Sequence, residues 1–304
     1  MAALVSRPSA SPDYFAGDSD TGTGTGHHAF FWASGRMTDI GTLGGTSSFA
    51  ADLNNRGQVA GSSTTAAGDT HCFLWAAGAM TDLGTLGGDY CYVQDINDRG
   101  QIIGGSTTAG ASGSYDSHAF LWDKGTMVDL TPDQGDNEAS SAQAINELGQ
   151  IIGFRADPTG GTCRGGCATL WDNGAVIDLE YDGQGFDFLD AINDRGQVVG
   201  YGNYHPSDWV YGYYWEALLW DNGVLINLGV RQGRFRNAPS QINSRGQAVI
   251  NTGTSPHAPQ LWQDGTLTPF ASAGDATAIN EQGWVAGFGS HALVWKIEPA
   301  ASQQ

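Results

Sequence analysis

The chain is poor in charged residues, and especially in basic ones. Charged residues make up 15 % of its 304 residues, and 13 Lys and Arg are outnumbered by 32 Asp and Glu. The resulting net charge of −19 repels phosphate backbones and anionic lipid, so neither nucleic acid nor a membrane is expected as a partner. No window approaches about 18 apolar residues, so no transmembrane helix is expected.

Cysteine is scarce too, with four residues at Cys72, Cys91, Cys163 and Cys167. Four are too few for a disulfide scaffold. Cys163 and Cys167 flank a short Gly-rich loop, where either a loop disulfide or two free thiols are expected, and no second pair is at hand to complete a zinc site. The N-terminus lacks the charged and apolar regions of a signal peptide. A cytoplasmic location is expected, or secretion if a leader has been removed.

Motifs for common cofactors and nucleophiles are also missing. The sequence contains no Walker loop, dinucleotide fingerprint, serine-nucleophile elbow or paired-His metal motif, so neither a cofactor nor a metal is expected. What the chain has instead is 45 Gly and an aromatic content of 11 %. This composition is typical of many short strands joined by tight turns.

Two landmarks repeat along almost the whole chain. The first is an apolar strand ending in Trp, and the second is an Asn-x-x-Gly turn after an apolar residue. The Trp landmarks are Trp32, Trp75, Trp122, Trp171, Trp220, Trp262 and Trp295. The Asn landmarks are Asn54, Asn97, Asn146, Asn193, Asn243 and Asn280. Because they recur, these Trp residues are interpreted as core residues and these Asn residues as turn residues.

The landmarks divide each unit of roughly 45 residues into four short hairpin-linked strands. The strand that ends in Asn is expected to be innermost, followed outward by the Gly-Gln strand, the Trp strand and the strand before the next unit. The sequence therefore predicts an all-β fold, a seven-bladed β-propeller of four-stranded antiparallel blades in one domain, with six blades as the alternative. The predicted units are 1–41, 42–84, 85–130, 131–179, 180–228, 229–270 and 271–298, with 299–304 as a disordered tail. The last unit is one strand short, and Ala2–Ser6 is predicted to supply that strand.

These repeats resemble the HAF repeat family, a group of bacterial proteins named for the His-Ala-Phe that opens the Trp strand. The triplet occurs at His28–Phe30 and His118–Phe120, and GTLGG linkers occur at Gly41–Gly45 and Gly84–Gly88. The resemblance covers residues 14 to 297 and implies the repeat architecture, with export as the usual pattern and no defined activity. A His that recurs at this position is interpreted as making a local hydrogen bond.

Segments that break the repeat are the candidates for function. The variable connections are 105–117, 155–166, 202–215 and 251–257, all predicted at the end of the propeller opposite the tight turns. One of them is rich in aromatic residues with polar tips, which favour recognition surfaces. It contributes Tyr204, His205, Trp209, Tyr211 and Tyr213. The following connection contains Arg234 and Arg236, whose guanidinium groups bind carboxylate or phosphate.

Acidic and aromatic residues on the inner strands complete the candidate site. Asp187, Asp190 and Asp275 are predicted to converge near the propeller axis, and Tyr92 and Phe188 occupy the same repeat position as Asp275 on their inner strands. Paired carboxylates are the minimum equipment for acid-base chemistry or glycoside cleavage. The candidate catalytic residues are therefore Asp187, Asp190, Asp275, His205 and Tyr92. The candidate ligand-binding residues are Tyr204, Trp209, Tyr211, Tyr213, Phe188, Arg234 and Arg236.

These residues lead to two hypotheses. The first is a cofactor-free, monomeric propeller that binds a small organic ligand, such as a carbohydrate or metabolite, on its loop-bearing face over the central channel. The second is an enzyme, a lyase, cyclase, isomerase or glycosidase, that uses the Asp, His and Tyr residues at the channel mouth as acid-base groups. The sequence leaves open whether the chain is an enzyme.

Overall fold

The computed structural model describes residues 4–5, 14–20, 26–111, 116–134, 139–156, 166–180, 185–203, 215–232, 239–251, 258–272 and 274–297. Every regular element in these residues is a β-strand. None of them forms a helix long and apolar enough to cross a membrane. The all-β prediction is confirmed for this part of the chain.

The strands form antiparallel meanders that follow the repeats. The first meander holds β1 (Leu4–Val5), β2 (Tyr14–Asp20), β3 (His27–Ala33) and β4 (Arg36–Asp39). The second holds β5 (Gly44–Leu53), β6 (Val59–Thr65), β7 (Thr70–Ala76) and β8 (Ala79–Gly84). The third holds β9 (Gly87–Ile96), β10 (Ile102–Thr108), β11 (Ser117–Asp123) and β12 (Thr126–Asp129). The fourth holds β13 (Ser141–Ile145), β14 (Ile151–Arg155), β15 (Cys167–Asp172) and β16 (Ala175–Asp178).

The remaining strands continue the same pattern. The fifth meander holds β17 (Gly185–Ile192), β18 (Val198–Asn203), β19 (Trp215–Asp221) and β20 (Val224–Gln232). The sixth holds β21 (Pro239–Ile242), β22 (Ala248–Ile250), β23 (Gln260–Gln263) and β24 (Thr266–Pro269). The seventh has three strands, β25 (Asp275–Ile279), β26 (Trp284–Phe288) and β27 (Ala292–Lys296). Strand β20 extends four residues past the predicted unit boundary at 228.

Within each meander the strands pair in chain order, as predicted. The second and third meanders are also joined by one parallel bridge, Thr70 to Tyr90. The chain divides into two compact units, Met1–Gly166 with Trp171–Gly174, and Cys167–Leu170 with Ala175–Gln304. A single domain over 1–304 stays a prediction.

The prediction that residues 2–6 complete the last sheet is wrong. Leu4 pairs with Gly17 and Val5 with Ala16, so β1 is the inner strand of the first meander. Pairing with a strand about ten residues away closes a far shorter loop, and therefore costs less entropy, than pairing across the chain. The seventh meander accordingly has three strands in the described residues.

Two-residue turns join the third and fourth strands of the first six meanders. Both turn residues have positive φ, for example Asn222 at 49° and Gly223 at 86°. This is the type I′ geometry that Asn-Gly and Asp-Gly favour. The same geometry is imposed on Ala77 and Lys124, which shows that the sheet register, more than the turn residue, determines it.

The repeated Asn residues bond both their own turn and the next meander. The Asn97 side-chain oxygen accepts hydrogen bonds from the backbone N–H groups of Arg99 and Gln101. Its Nδ2 donates to Gln101 Oε1 at 2.8 Å and to the backbone carbonyl of Asn146 at 3.0 Å. Corresponding bonds join Asn54 to Asn97, Asn193 to Asn243 and Asn243 to Asn280. These Asn residues are thus connectors between meanders as well as turn residues.

The apolar cores lie between consecutive meanders. Ala16, Ala29, Leu53, Phe73 and Trp75 pack between the first and second meanders. Equivalent clusters lie between the second and third, the third and fourth, the fifth and sixth, and the sixth and seventh. Among the landmark residues, Trp75, Trp171 and Trp262 are buried, which confirms the core interpretation for these residues.

A disulfide that the sequence does not predict links the second and third meanders. Cys72 on β7 bonds to Cys91 on β9, and both residues are fully buried. In the neighbouring interfaces the same two positions are Ala and Ser: Ser48 accepts a hydrogen bond from the Ala29 N–H at 2.9 Å, and Ser140 accepts one from the Ala119 N–H at 2.8 Å. The disulfide therefore occupies the place of a repeated Ser–backbone contact. Cys167 is also disulfide-bonded, while Cys163 lies outside the described residues.

Replacing Asn97 with Ala should lower the free energy of unfolding by about 3 kcal/mol, because four hydrogen bonds in a fully buried site are lost. Urea denaturation measures the change. Asn280→Ala is the matched control, since the described side-chain bonds of Asn280 are the two within its own turn, and the substitution keeps the backbone carbonyl that accepts from Asn243. Equal losses for the two variants would show that the bond between meanders contributes nothing.

Replacing both Cys72 and Cys91 with Ala should lower the free energy of unfolding by about 3 kcal/mol, because a cross-link that closes a loop of 19 residues is removed. The C72A/C91S variant recreates the Ala–Ser pair of the neighbouring interfaces and should recover about 1 kcal/mol. Denaturation with and without reductant measures both effects. An unchanged stability in the Ala variant would contradict the role of the cross-link.

Candidate functional site

The two ends of each meander differ in the kind of connection they carry. The Asn turns and the type I′ turns lie at one end, because the strands alternate in direction. The longer connections of the fifth meander, 181–184, 204–214 and 233–238, join strands at the opposite end. Several predicted site residues fall in these segments and lie outside the described residues: Tyr204, His205, Trp209, Tyr211, Tyr213, Arg234 and Arg236.

Two predicted acidic residues lie at β-bulges of the inner strand β17. The register of β17 against β18 shifts between Phe186 and Phe188 and again between Leu189 and Ala191, so Asp187 and Asp190 are the extra residues. A bulge re-aims its side chain out of the regular alternation, and bulges are common beside functional sites. Asp187 is exposed and Asp190 is half-buried.

The bulge at Asp190 also occurs in other repeats, and only the residue type at this position is unusual. The inner strand of each meander from the second to the seventh skips one residue at this position. The residues there are Ala51, Gln94, Gln143, Asp190, Ser240 and Thr277. Asp190 is the single ionisable residue in the series. The bulge is therefore a general feature of the fold, and the carboxyl group is specific to the fifth meander.

The bulge at Asp187 changes how the sequence should be aligned. Counting back from the Asn turn places Asp187 with Ser48 and Ser140, which bond the preceding meander. In the structure Phe186 is the residue paired with Gly202 and it is 4 % exposed. The extra residue has moved Asp187 out of the buried position to the surface. Sequence counting could not detect this, because one inserted residue shifts every side chain beyond it to the other face.

Asp190 has an electrostatic environment unlike that of an ordinary surface carboxylate. Its Oδ2 is buried and has no hydrogen-bond partner among the described residues. Desolvation by burial raises the pKa of Asp190 to about 8. At neutral pH this side chain is therefore mostly a neutral carboxylic acid, able to donate one hydrogen bond and accept another.

An aromatic pair lies on the same two strands, β17 and β18. Phe188 on β17 stacks on Tyr201 of β18, with ring centroids 4.5 Å apart and planes 18° from parallel. Tyr201 is 6 % exposed. Tyr201 therefore covers one face of Phe188, and ligand stacking on Phe188 stays a prediction.

Tyr92 and Asp275 lie on other inner strands. The ring of Tyr92 lies against Gly105, where a Cβ atom would be 2.5 Å from it. Burial raises the pKa of Tyr92, although its hydrogen bond with Ser117 acts in the opposite direction. Asp275 begins β25, opposite Phe288. Tyr92 belongs to the first compact unit and Asp187, Asp190 and Asp275 to the second. The convergence of the three Asp residues stays a prediction.

The recurring His residues bond locally, as interpreted from the sequence. Nδ1 of His28 lies 2.9 Å from Asp39, Nδ1 of His71 2.9 Å from Asp82, and Nδ1 of His118 2.8 Å from Asp129. Burial acts to raise the pKa of Asp39, but the hydrogen bonds from His28 and the Gly41 N–H outweigh it and lower that pKa. Within the described residues, no group of three or more His, Cys, Asp or Glu side chains is arranged to hold a metal ion.

Solved structures with a similar fold are β-propellers. The β-propeller domain of the Trilobed protease from Pyrococcus furiosus matches 94 % of this chain and 88 % of its own, with a TM-score of 0.56 and 8 % identity. Pyrococcus horikoshii acylaminoacyl peptidase matches 98 % of this chain with a TM-score of 0.55 and 10 % identity. An acylaminoacyl peptidase in complex with Z-Gly-Gly-Phe-chloromethyl ketone matches 96 %, with a TM-score of 0.56 and 8 % identity.

These similarities show the fold alone: the chain is an all-β protein with a β-propeller fold. It spans about half the length of the two acylaminoacyl peptidase chains, 51 % and 52 %. No family model matches the sequence. No curated protein matches it either.

Asp190 should make the free energy of unfolding fall as pH rises. Its folded pKa of about 8 lies above the unfolded value of about 3.9, so the folded state binds the extra proton between these values. The full contribution of Asp190 to the free energy of unfolding is present below its unfolded pKa. That contribution falls by up to about 1.4 kcal/mol per pH unit as the pH rises toward the folded pKa.

Asp190→Asn should remove this slope, and urea denaturation of both proteins between pH 5 and 8 measures it. Asp264→Asn is the control, because Asp264 has the same turn geometry as Asn173 and Asn222. The control should keep the wild-type slope. Parallel curves for wild type and Asp190→Asn would show that Asp190 is ionised at neutral pH.

Proposed function

We propose that this chain is a cofactor-free, seven-bladed β-propeller that binds a small organic ligand along the inner strand β17 of the fifth meander, between Asp190 and the loop-bearing end. The observation that carries the proposal is Asp190, a half-buried side chain at a bulge of the inner strand whose buried Oδ2 has no hydrogen-bond partner among the described residues. An unsatisfied buried polar atom costs about 1–3 kcal/mol unless a partner fills it. A ligand hydroxyl or carbonyl group would provide that partner.

The surroundings favour an uncharged or anionic ligand such as a carbohydrate or another metabolite. A neutral Asp190 does not repel an anion and complements hydroxyl and carbonyl groups. Phe188 would contribute an aromatic surface to the site. The connections that carry Tyr204, Trp209, Tyr211, Tyr213, Arg234 and Arg236 leave from the end of this meander where β17 begins. The chain is proposed to act as a monomer, and membership of the HAF repeat family stays a prediction.

An enzyme is the second candidate, and the raised pKa of Asp190 favours it. A carboxylic acid with a pKa of about 8 can protonate a leaving group at neutral pH. Asp187, three residues away on the same strand, would supply a second carboxyl group. The corresponding activities are those of a lyase, cyclase, isomerase or glycosidase, with His205, Tyr92 and Asp275 as further candidate acid-base groups.

Two substitutions at Asp190 distinguish binding from catalysis. A library of sugars and metabolites is first screened by thermal shift on the wild type. Asp190→Asn keeps a donor and an acceptor, so a pure binding site should retain its hit within a few-fold. Asp190→Leu removes both groups and should weaken binding at least tenfold. An enzyme should lose turnover in both variants. A hit with the same affinity for all three proteins would rule out this site.

The disulfides support a location in an oxidising compartment. Cys72 and Cys91 are cross-linked and fully buried, and such bonds persist in secreted proteins while the cytosol keeps thiols reduced. We therefore propose that the chain folds outside the cytoplasm. Thiol labelling of the protein from its own cells tests this, with unlabelled Cys72 and Cys91 expected and labelling of both as the contrary result.

A further inference from the structure

The seventh meander ends on an unpaired edge. Strand β27 pairs with β26 on one side, and no described strand pairs with its other side. In each of the first six meanders a fourth strand occupies that place. An edge of this kind offers a row of backbone N–H and C=O groups to any extended segment that reaches it.

The other meanders show which side chains hold a fourth strand. An apolar residue of the fourth strand lies opposite the landmark Trp: Met37 opposite Trp32, Met80 opposite Trp75, Met127 opposite Trp122, Leu225 opposite Trp220 and Leu267 opposite Trp262. Two residues later comes Asp39, Asp82 or Asp129 in the first three meanders, bonded to the His that precedes the Trp by four positions. In these three meanders the sequence of the fourth strand is thus apolar–x–Asp.

The fifth meander tests this rule with different residues. Glu216 replaces the His and Asn227 replaces the Asp, and Asn227 Nδ2 donates to Glu216 Oε2 at 2.5 Å. Both partners have changed and the contact is kept. The pair is therefore a recognition contact between the third and fourth strands, and it is independent of the particular residues that form it.

The seventh meander has the third-strand residues of this contact. Trp295 is at the Trp position and His291 at the His position, four residues earlier. His291 is exposed, and its Nδ1 contacts the neighbouring Ser290 Oγ at 2.9 Å in place of an Asp. The adjacent surface is apolar, with Val294 68 % and Phe288 53 % exposed. Lys296 on the same strand adds a positive charge.

We propose that the free edge of β27 binds an extended segment of a partner protein, which adds as a fourth antiparallel strand with an apolar residue opposite Trp295 and an Asp at His291. The apolar–x–Asp strands of the described meanders, in this chain and in a second copy of it, are already paired. The proposed occupant is a segment of a different protein whose Asp complements His291 and Lys296.

A peptide that copies Lys124–Thr131 of this chain, with blocked termini, is the probe, because it contains the Met127–Asp129 pattern. It should bind the full chain and protect the amides of Ala292–Lys296 from hydrogen exchange. Changing its Asp to Ala, or changing His291 to Ala in the protein, should weaken binding at least tenfold, since a charge-assisted hydrogen bond is lost. Protection elsewhere in the chain, or equal affinity for the Asp and Ala peptides, would overturn the proposal.

A tethered version covers the case in which a short peptide binds too weakly to detect. The sequence of Lys124–Leu130 replaces residues 297–303 directly after Lys296, which gives it the spacing that it has after Trp122. A matched graft carries Ser and Ala in place of its Met and Asp. The first graft should melt several degrees above the second. Equal melting temperatures would show that the edge does not recognise the apolar–x–Asp pattern, and would end the proposal.

Discussion

The structure depends on one repeated hydrogen bond, the donation from the Asn side chain of one meander to the Asn backbone carbonyl of the next. It is present from Asn54 to Asn97 and from Asn97 to Asn146, and again from Asn193 through Asn243 to Asn280. The same side chains also close their own turns. Local turn geometry and the spacing between sheets are therefore coupled, and a change in one would disturb the other.

Much of the fold could be predicted from the sequence because the repeat separates structural residues from the rest. A feature that recurs in every unit, such as the landmark Trp or the turn Asn, must satisfy a need that each unit shares. This reasoning also identified the His residues as local hydrogen-bonding groups, and His28, His71 and His118 bond to Asp as such a role requires. Strand order followed from turn chemistry in the same way.

The rest of the fold could not be predicted, because it depends on contacts that occur only once. The Cys72–Cys91 bond replaces an Ala–Ser contact, but Ala and Ser give no signal that two such positions touch. The pairing of Leu4 and Val5 with β2 was missed because nothing in two apolar residues specifies a partner. At the candidate site, the sequence singled out Asp187 and Asp190, while the bulge that exposes Asp187 could be seen only in three dimensions.

The Asn–carbonyl contact also gives the array a head and a tail. The third and sixth meanders each donate with the Asn side chain on one side and accept with the Asn backbone carbonyl on the other, so a repeat of this kind is complementary to a copy of itself. A duplicated unit inserted between two others would find its donor and acceptor already in position. Arrays of this kind can lengthen by whole repeats during evolution without a new interface having to be invented.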